Sequence, residues 1–176
     1  MENIENSNAV EENKTQEMPK EQIKQIEEEE YESEESQYVI FKIDTQDYGI
    51  EIKYVHEINR FKEVVINPVP KTPDYVEGII NLRGEVVPVL DLRKKIGAPV
   101  KEIGRETRIL IVKIDNKTIG LIVDMVLKVI NIDPKDITIT PEEISDINTR
   151  FFSGITRLEK KITLLLNIDE VLKLEE

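Results

Sequence analysis

Val76-Glu-Gly-Ile-Ile-Asn-Leu-Arg-Gly-Glu-Val-Val-Pro-Val-Leu-Asp-Leu-Arg93 is the stretch on which the fold turns. Two apolar runs flank Arg83-Gly84, and a glycine there supplies the positive φ of a tight hairpin turn. Pro88 stands inside the return strand. A proline donates nothing to a ladder, so this strand has a free edge or a bulge at that point. Shifted by 76 residues, Gly78-Ile79, Leu82, Val86 and Leu90 become Gly154-Ile155, Leu158, Ile162 and Leu166. Shifted by 71, Lys42-Ile43-Asp44 and Gly49 become Lys113-Ile114-Asp115 and Gly120. One loop insertion accounts for the difference of five. Residues 38–97 and 107–174 are therefore expected to be two copies of one supersecondary unit, joined by a connector over 98–106.

Working outward, residues 38–176 hold 24 Ile and 15 Val, a density that favours pleated strands over helices. Strands are predicted at Tyr38–Ile43, Tyr48–Ile52, Val76–Leu82, Glu85–Leu90, Arg108–Ile114, Thr118–Asp124, Lys128–Ile132, Phe152–Leu158 and Ile162–Asn167. Short helices are predicted at Leu92–Ile96, Pro141–Ile147 and Ile168–Leu174. Each copy thus carries the content of a small closed β-barrel, and the fold class is all-β. Alone, a ~60-residue copy is marginal; packed together the two share a larger core.

The chain of 176 residues carries a formal charge of -12, unevenly placed. Residues 1–37 hold 13 Glu against 3 Lys, a net of -10, which leaves -2 for the rest. Such a leader buries too little apolar surface to offset its ordering entropy, so it is expected to be a disordered acidic tail. Clustered cations of the kind that bind nucleic acid are missing, and the tail is repelled by anionic membranes. No apolar run reaches the ~18 residues of a membrane span, and the N-terminus has no signal pattern; a cytoplasmic location is expected.

Chemistry is sparse. Without Cys, thiolate metal sites, disulfides and thiol nucleophiles are excluded. His56 is the single histidine and is expected to have a structural or surface role. The seven glycines match no phosphate loop or dinucleotide fingerprint, and no nucleophile elbow occurs. No catalytic residue, metal or cofactor is expected. Two other classes make different demands: a carboxylate enzyme needs paired acids in a deep pocket, and a nucleic-acid-binding barrel needs a basic groove with stacking aromatics.

The hairpin and its surroundings carry a resemblance to a known family. Tyr48-Gly-Ile-Glu-Ile52, Val55-His-Glu-Ile58, Pro68-Val-Pro70, Val76–Gly84, Val87-Pro-Val-Leu-Asp-Leu-Arg93 and Ile119–Asp124 resemble the CheW-like family of bacterial chemotaxis. The resemblance covers Tyr38 to about Leu174. It implies two SH3-like five-stranded barrels and a non-enzymatic adaptor that couples chemoreceptor signalling tips to the histidine kinase CheA. The alternative is an equivalent coupling protein of a non-flagellar chemosensory-like pathway. Length decides for the stand-alone adaptor, since neither a kinase core nor a receiver domain fits in this chain. Carried over residue by residue, the receptor groove falls on Ile52, Val55, Ile58, Val126 and Val129. Glu57 and Arg83 fall on the coupling positions, where an ion pair is expected. The kinase-binding hairpin falls on Asn81, Leu82, Gly84, Val86 and Pro88.

Overall fold

A computed structural model of the chain describes residues 35–139 and 149–174. The expected disorder of the leader and the helix expected at Pro141–Ile147 lie outside the described residues. Among the described residues, ten strands form two five-stranded sheets. They are β1 (Ser36–Ile43), β2 (Gln46–Glu51), β3 (Val55–Arg60), β4 (Val76–Leu82) and β5 (Glu85–Asp91), then β6 (Arg108–Ile114), β7 (Lys117–Val123), β8 (Met125–Ile132), β9 (Phe152–Leu158) and β10 (Lys161–Leu166). Two short helices, α1 (Leu92–Ile96) and α2 (Ile168–Val171), follow β5 and β10. The second is shorter than the segment expected over Ile168–Leu174.

Strand order corrects the domain boundaries. One sheet, barrel I, runs β8-β1-β2-β10-β9; the other, barrel II, runs β3-β6-β7-β5-β4. Barrels over 38–97 and 107–174 would each be contiguous. Instead each barrel takes two strands from one copy and three from the other. The chain crosses between barrels at Ile52–Tyr54, a single 3-10 turn, and at Asp124. Parallel pairings join the copies: Leu165 lies beside Gly49, and Val89 beside Gly120. The repeat identifies equivalent strands, but equivalence does not say which copy supplies the partner.

The chain after β3 closes barrel II, since Asn67 exchanges two backbone hydrogen bonds of 2.8 Å with Ile79 of β4. Thr138 and Ile155 close barrel I in the same way, at 2.8 and 2.9 Å. The closing strand explains one repeated glycine. A Cβ on Gly78, whose φ is +150°, would come within 2.2 Å of the Asn67 carbonyl oxygen. One on Gly154 would meet the Ile137 methyl at 2.6 Å.

Alternation feeds two cores from one strand. Val39, Phe41 and Ile43 of β1 and Leu110 and Val112 of β6 fill a core shared between the barrels. Ile109 and Ile111 fill the interior of barrel II, and Tyr38 and Ile40 that of barrel I. Burial on both faces is why these strands read as continuous apolar runs.

The strand β3 escaped the period-two pattern. Its register with β6 shifts between Val55 and Glu57, a bulge that skips His56. The extra residue spaces the apolar positions Val55 and Ile58 by three rather than two. Its counterpart β8 bulges at the equivalent place, skipping Leu127 in its register with β1.

Candidate functional site

The bulges put the spaced apolar residues on one face. Val55 and Ile58 lie opposite Val112 and Leu110, and Val126 and Val129 lie opposite Phe41 and Val39. Directly paired residues share a face, and all four partners belong to the shared core. Ile52, Val55 and Val126 are half-buried against that core. Ile58 and Val129, 41% and 50% exposed, continue the same faces out into solvent. Each barrel therefore carries an apolar stripe that begins in the shared core and ends in water.

The expected ion pair forms. Arg83 Nη2 lies 3.3 Å from Glu57 Oε2, with the arginine 79% and the glutamate 21% exposed. Asn59 Nδ2 donates to Glu57 Oε1 at 2.7 Å and fixes the carboxylate. The β4–β5 turn holds the arginine: Arg83 and Gly84 both take positive φ, and the Gly84 N–H donates to Asn81 Oδ1 at 2.9 Å. Beside this pair lies a cleft of about 470 Å³ lined by Glu57, Glu63, Val65, Asn81 and Leu82.

On the hairpin, Val87 is in the interior of barrel II while Val86 stands 62% exposed. Pro88 sits opposite Ile79, and the pairing of β5 with β7 begins only at Val89. The register of β4 and β5 shifts only between Val76 and Gly78. Pro88 therefore marks a free edge, not a bulge.

The same construction recurs in barrel I with its charges exchanged. Glu57 shifted by 71 is Lys128, and Arg83 shifted by 76 is Glu159. Lys128 Nζ lies 2.8 Å from Glu159 Oε1. The hydrogen bond from Lys128 holds the Glu159 carboxyl below its usual range. A cleft of barrel I, about 580 Å³, is lined by Lys135, Asp136, Thr138, Arg157 and Ile162. The sequence carried the signal for this second pair, because both shifts point to it.

A polar cluster at the Asp124 crossing went unread in the sequence. Arg93 is buried, and its Nε and Nη2 donate to the Asp91 carboxylate at 2.8 and 2.7 Å. Its Nη1 donates to Asp124 Oδ1 at 3.0 Å and to the Lys101 carbonyl at 2.9 Å. The other Asp124 oxygen accepts the Asp44 N–H from the β1–β2 turn at 2.7 Å. Arg93 thus ties barrel II to barrel I through one carboxylate. The bond to Asp91 raises its pKa further.

Comparison with known proteins follows this geometry. The family model of the CheW-like domain matches residues 37–176. The chain belongs to the CheW-like family. The chemotaxis protein CheW of Helicobacter pylori is 34% identical over 137 residues, covering 78% of this chain and 81% of that protein. The CheW of Bacillus subtilis is 31% identical over 137 residues, covering 78% and 86%. The crystal structure of the scaffolding protein TtCheW from Thermoanaerobacter tengcongensis matches with a TM-score of 0.73 at 35% identity, covering 81% of this chain and 91% of that one. TtCheW is a scaffolding protein, and this CheW-like chain is not an enzyme. Among the described residues no helix is long and apolar enough to cross a membrane, and no cluster of His, Asp and Glu would hold a metal ion.

Proposed function

We propose that the chain is a cytoplasmic coupling scaffold that joins chemoreceptor signalling tips to the histidine kinase CheA and lets receptors control the kinase. Family membership supports the pathway, and the Glu57–Arg83 pair beside the β4–β5 hairpin is the single observation that carries the site. The apolar stripes ending in Ile58 and Val129 suit a helical receptor hairpin, which docks an apolar face into a groove. Ile52, Val55 and Val126 form the floor of that groove. The regulatory domain of CheA meets the Asn81–Pro88 hairpin, where Val86 offers apolar surface and β5 a free edge. Glu57 and Arg83 connect the two contacts. An exposed pair contributes only ~0–1 kcal/mol to stability, so its value lies in orientation.

The test reconstitutes receptor tips, CheA and the adaptor and follows kinase activity. Arg83→Ala is expected to melt as the parent does and to lose receptor-dependent control. Intact control with the parent's melting would overturn the assignment of Arg83. The kinase that co-purifies with the chain identifies which chemosensory pathway it serves.

A further inference from the structure

Beyond Ile58, the face that carries the apolar stripe of barrel II turns cationic. Along β3, Val55, Ile58 and Arg60 lie opposite Val112, Leu110 and Arg108 of β6. Directly opposed residues share a face, and residues two apart on a strand repeat it. Arg60 and Arg108 therefore continue the face that Val55 and Ile58 begin. Like charges so placed repel. The fold does not require them: the stripe of barrel I runs from Val126 and Val129 to Asn131, which lies opposite Gln37.

The two arginines open onto a cleft of about 430 Å³ whose lining adds Lys62, Arg105, Glu63 and Glu106. Four cations thus face two carboxylates, on a chain of formal charge -12. Both carboxylates are already engaged: Glu63 lies 3.3 Å from Arg60, and Glu106 lies 3.9 Å from Arg108. Lys62 and Arg105 have no ion-pair partner among the described residues. Arg108 Nη1 donates to the Arg105 and Thr107 carbonyls at 2.9 and 3.1 Å, which holds its guanidinium in place. None of the six lining residues is aromatic or aliphatic, so the cleft offers nothing to a nucleobase or an acyl chain. At the equivalent end of barrel I, Asp133 stands for Lys62, and Asn131 Nδ2 donates to Glu35 Oε2 at 3.1 Å. One stripe therefore ends in surplus positive charge and the other in amides and carboxylates.

We infer that the Arg60–Lys62–Arg105–Arg108 cleft receives carboxylates of the receptor hairpin, an inference that rests on the receptor groove proposed above. The occupant is a helix whose apolar face covers Val55 and Ile58 and whose next turn carries Glu or Asp. Ile58 and Arg60 are two strand residues apart, about 7 Å, and one helical turn rises about 5.4 Å. Acidic side chains about one turn beyond the last apolar anchor therefore meet the cations. Docked the opposite way, the same carboxylates would approach Glu35 and Asp133, so the charge difference selects the orientation of the hairpin. Charges at the rim of an interface act chiefly on the rate of encounter and its salt dependence.

The test follows association of the full chain with a soluble receptor fragment that contains the signalling hairpin, by stopped flow at low and high salt. The parent chain is expected to associate faster at low salt. The double variant Arg60→Gln with Lys62→Gln is expected to associate about tenfold more slowly at low salt and to lose most of the salt dependence. Lys113→Gln with Lys117→Gln, an equal loss of charge beside the β6–β7 turn, is expected to keep the parental rates. Both variants are expected to melt as the parent does. Parental rates in the cleft variant, or equal slowing in the two variants, would overturn the inference and leave the receptor reading standing. So would amide shifts at Lys62 and Arg105 on titration with inorganic phosphate, if receptor association is indifferent to the cleft variant, since the cleft would then serve a small anion. Failure of the parent chain itself to bind the fragment would overturn both.

Discussion

The two hairpin tips are built alike and charged oppositely. In barrel II a carboxylate on β3 meets an arginine on the β4–β5 turn; in barrel I a lysine on β8 meets a carboxylate on the β9–β10 turn. The clefts of the two barrels differ in charge too, with Glu57 and Glu63 in one and Lys135, Arg157 and Asp136 in the other. A fold that needed the pair for stability would be indifferent to its polarity. Keeping the geometry and inverting the sign instead gives one molecule two distinguishable faces. Polarity of this kind governs partner choice and encounter more than raw affinity.

The interiors differ as well. Barrel II places Ile80 and Val87 in its core, where barrel I has Thr156 and Thr163. These threonines are paired across β9 and β10, and neither hydroxyl finds a hydrogen-bond partner. At the crossings, Asp124 is clamped by buried Arg93, whereas the equivalent Lys53 lies at the surface beside Glu51 at 2.8 Å.

The largest expected effect tests that clamp. Arg93→Ala leaves Asp91 charged, buried and unpaired, and is expected to cost about 3–5 kcal/mol in denaturant unfolding. Asp169→Ala, at the matching exposed place after β10, should stay within ~0.5 kcal/mol. Equal effects would abolish the distinction between the crossings.

Next comes pH. Tyr48 stacks between Phe41 and Phe152, with ring centroids 5.7 and 6.0 Å away, where the equivalent residue on β7 is Ile119. Burial first, then the Asp44 charge, pushes its phenol up to about 12 from 10.0. The folded-state pKa is raised, so this contribution is complete below pH ~10 and is lost as pH rises through about 12. The loss amounts to about 3 kcal/mol at most. Tyr48→Phe should flatten that part of the stability curve.

Gly78→Ala should cost about 1–3 kcal/mol, because its backbone conformation disfavours a side chain and the obstruction is the Asn67 carbonyl. Gly154→Ala should cost less, since the Ile137 methyl that it meets can move. Smallest is Thr163→Val, which removes an orphaned hydroxyl and gives barrel I the valine of barrel II. It is expected to stabilise by about 1 kcal/mol and to slow hydrogen exchange in β9 and β10.

Much of this was legible in the residues themselves. The hairpin turns, the repeat, and the matched glycines follow from local chemistry that repeats at fixed shifts. Glu57 and Arg83 were expected to meet because the family motif keeps their positions. The exchange of strands between copies was not legible, because either copy's β10 or β5 would satisfy the same ladder. The strand β3 was missed because its bulge breaks the two-residue period, and that bulge also brings Val55 and Ile58 onto one face. Nothing in the sequence distinguishes Arg93 from other cations; only tertiary packing reveals that it is buried.

The charge exchange between the tips also supplies the most direct test of the coupling assignment. The double variant Glu57→Lys with Arg83→Glu keeps an ion pair in barrel II and gives it the polarity of barrel I. Calorimetric titration against the CheA regulatory domain, with melting curves alongside, separates structure from recognition. The account predicts saturable one-to-one binding by the parent chain, and in the variant an unchanged melting temperature with loss of that binding. Parental binding by the charge-exchanged variant would contradict it, because the tip would then serve geometry alone.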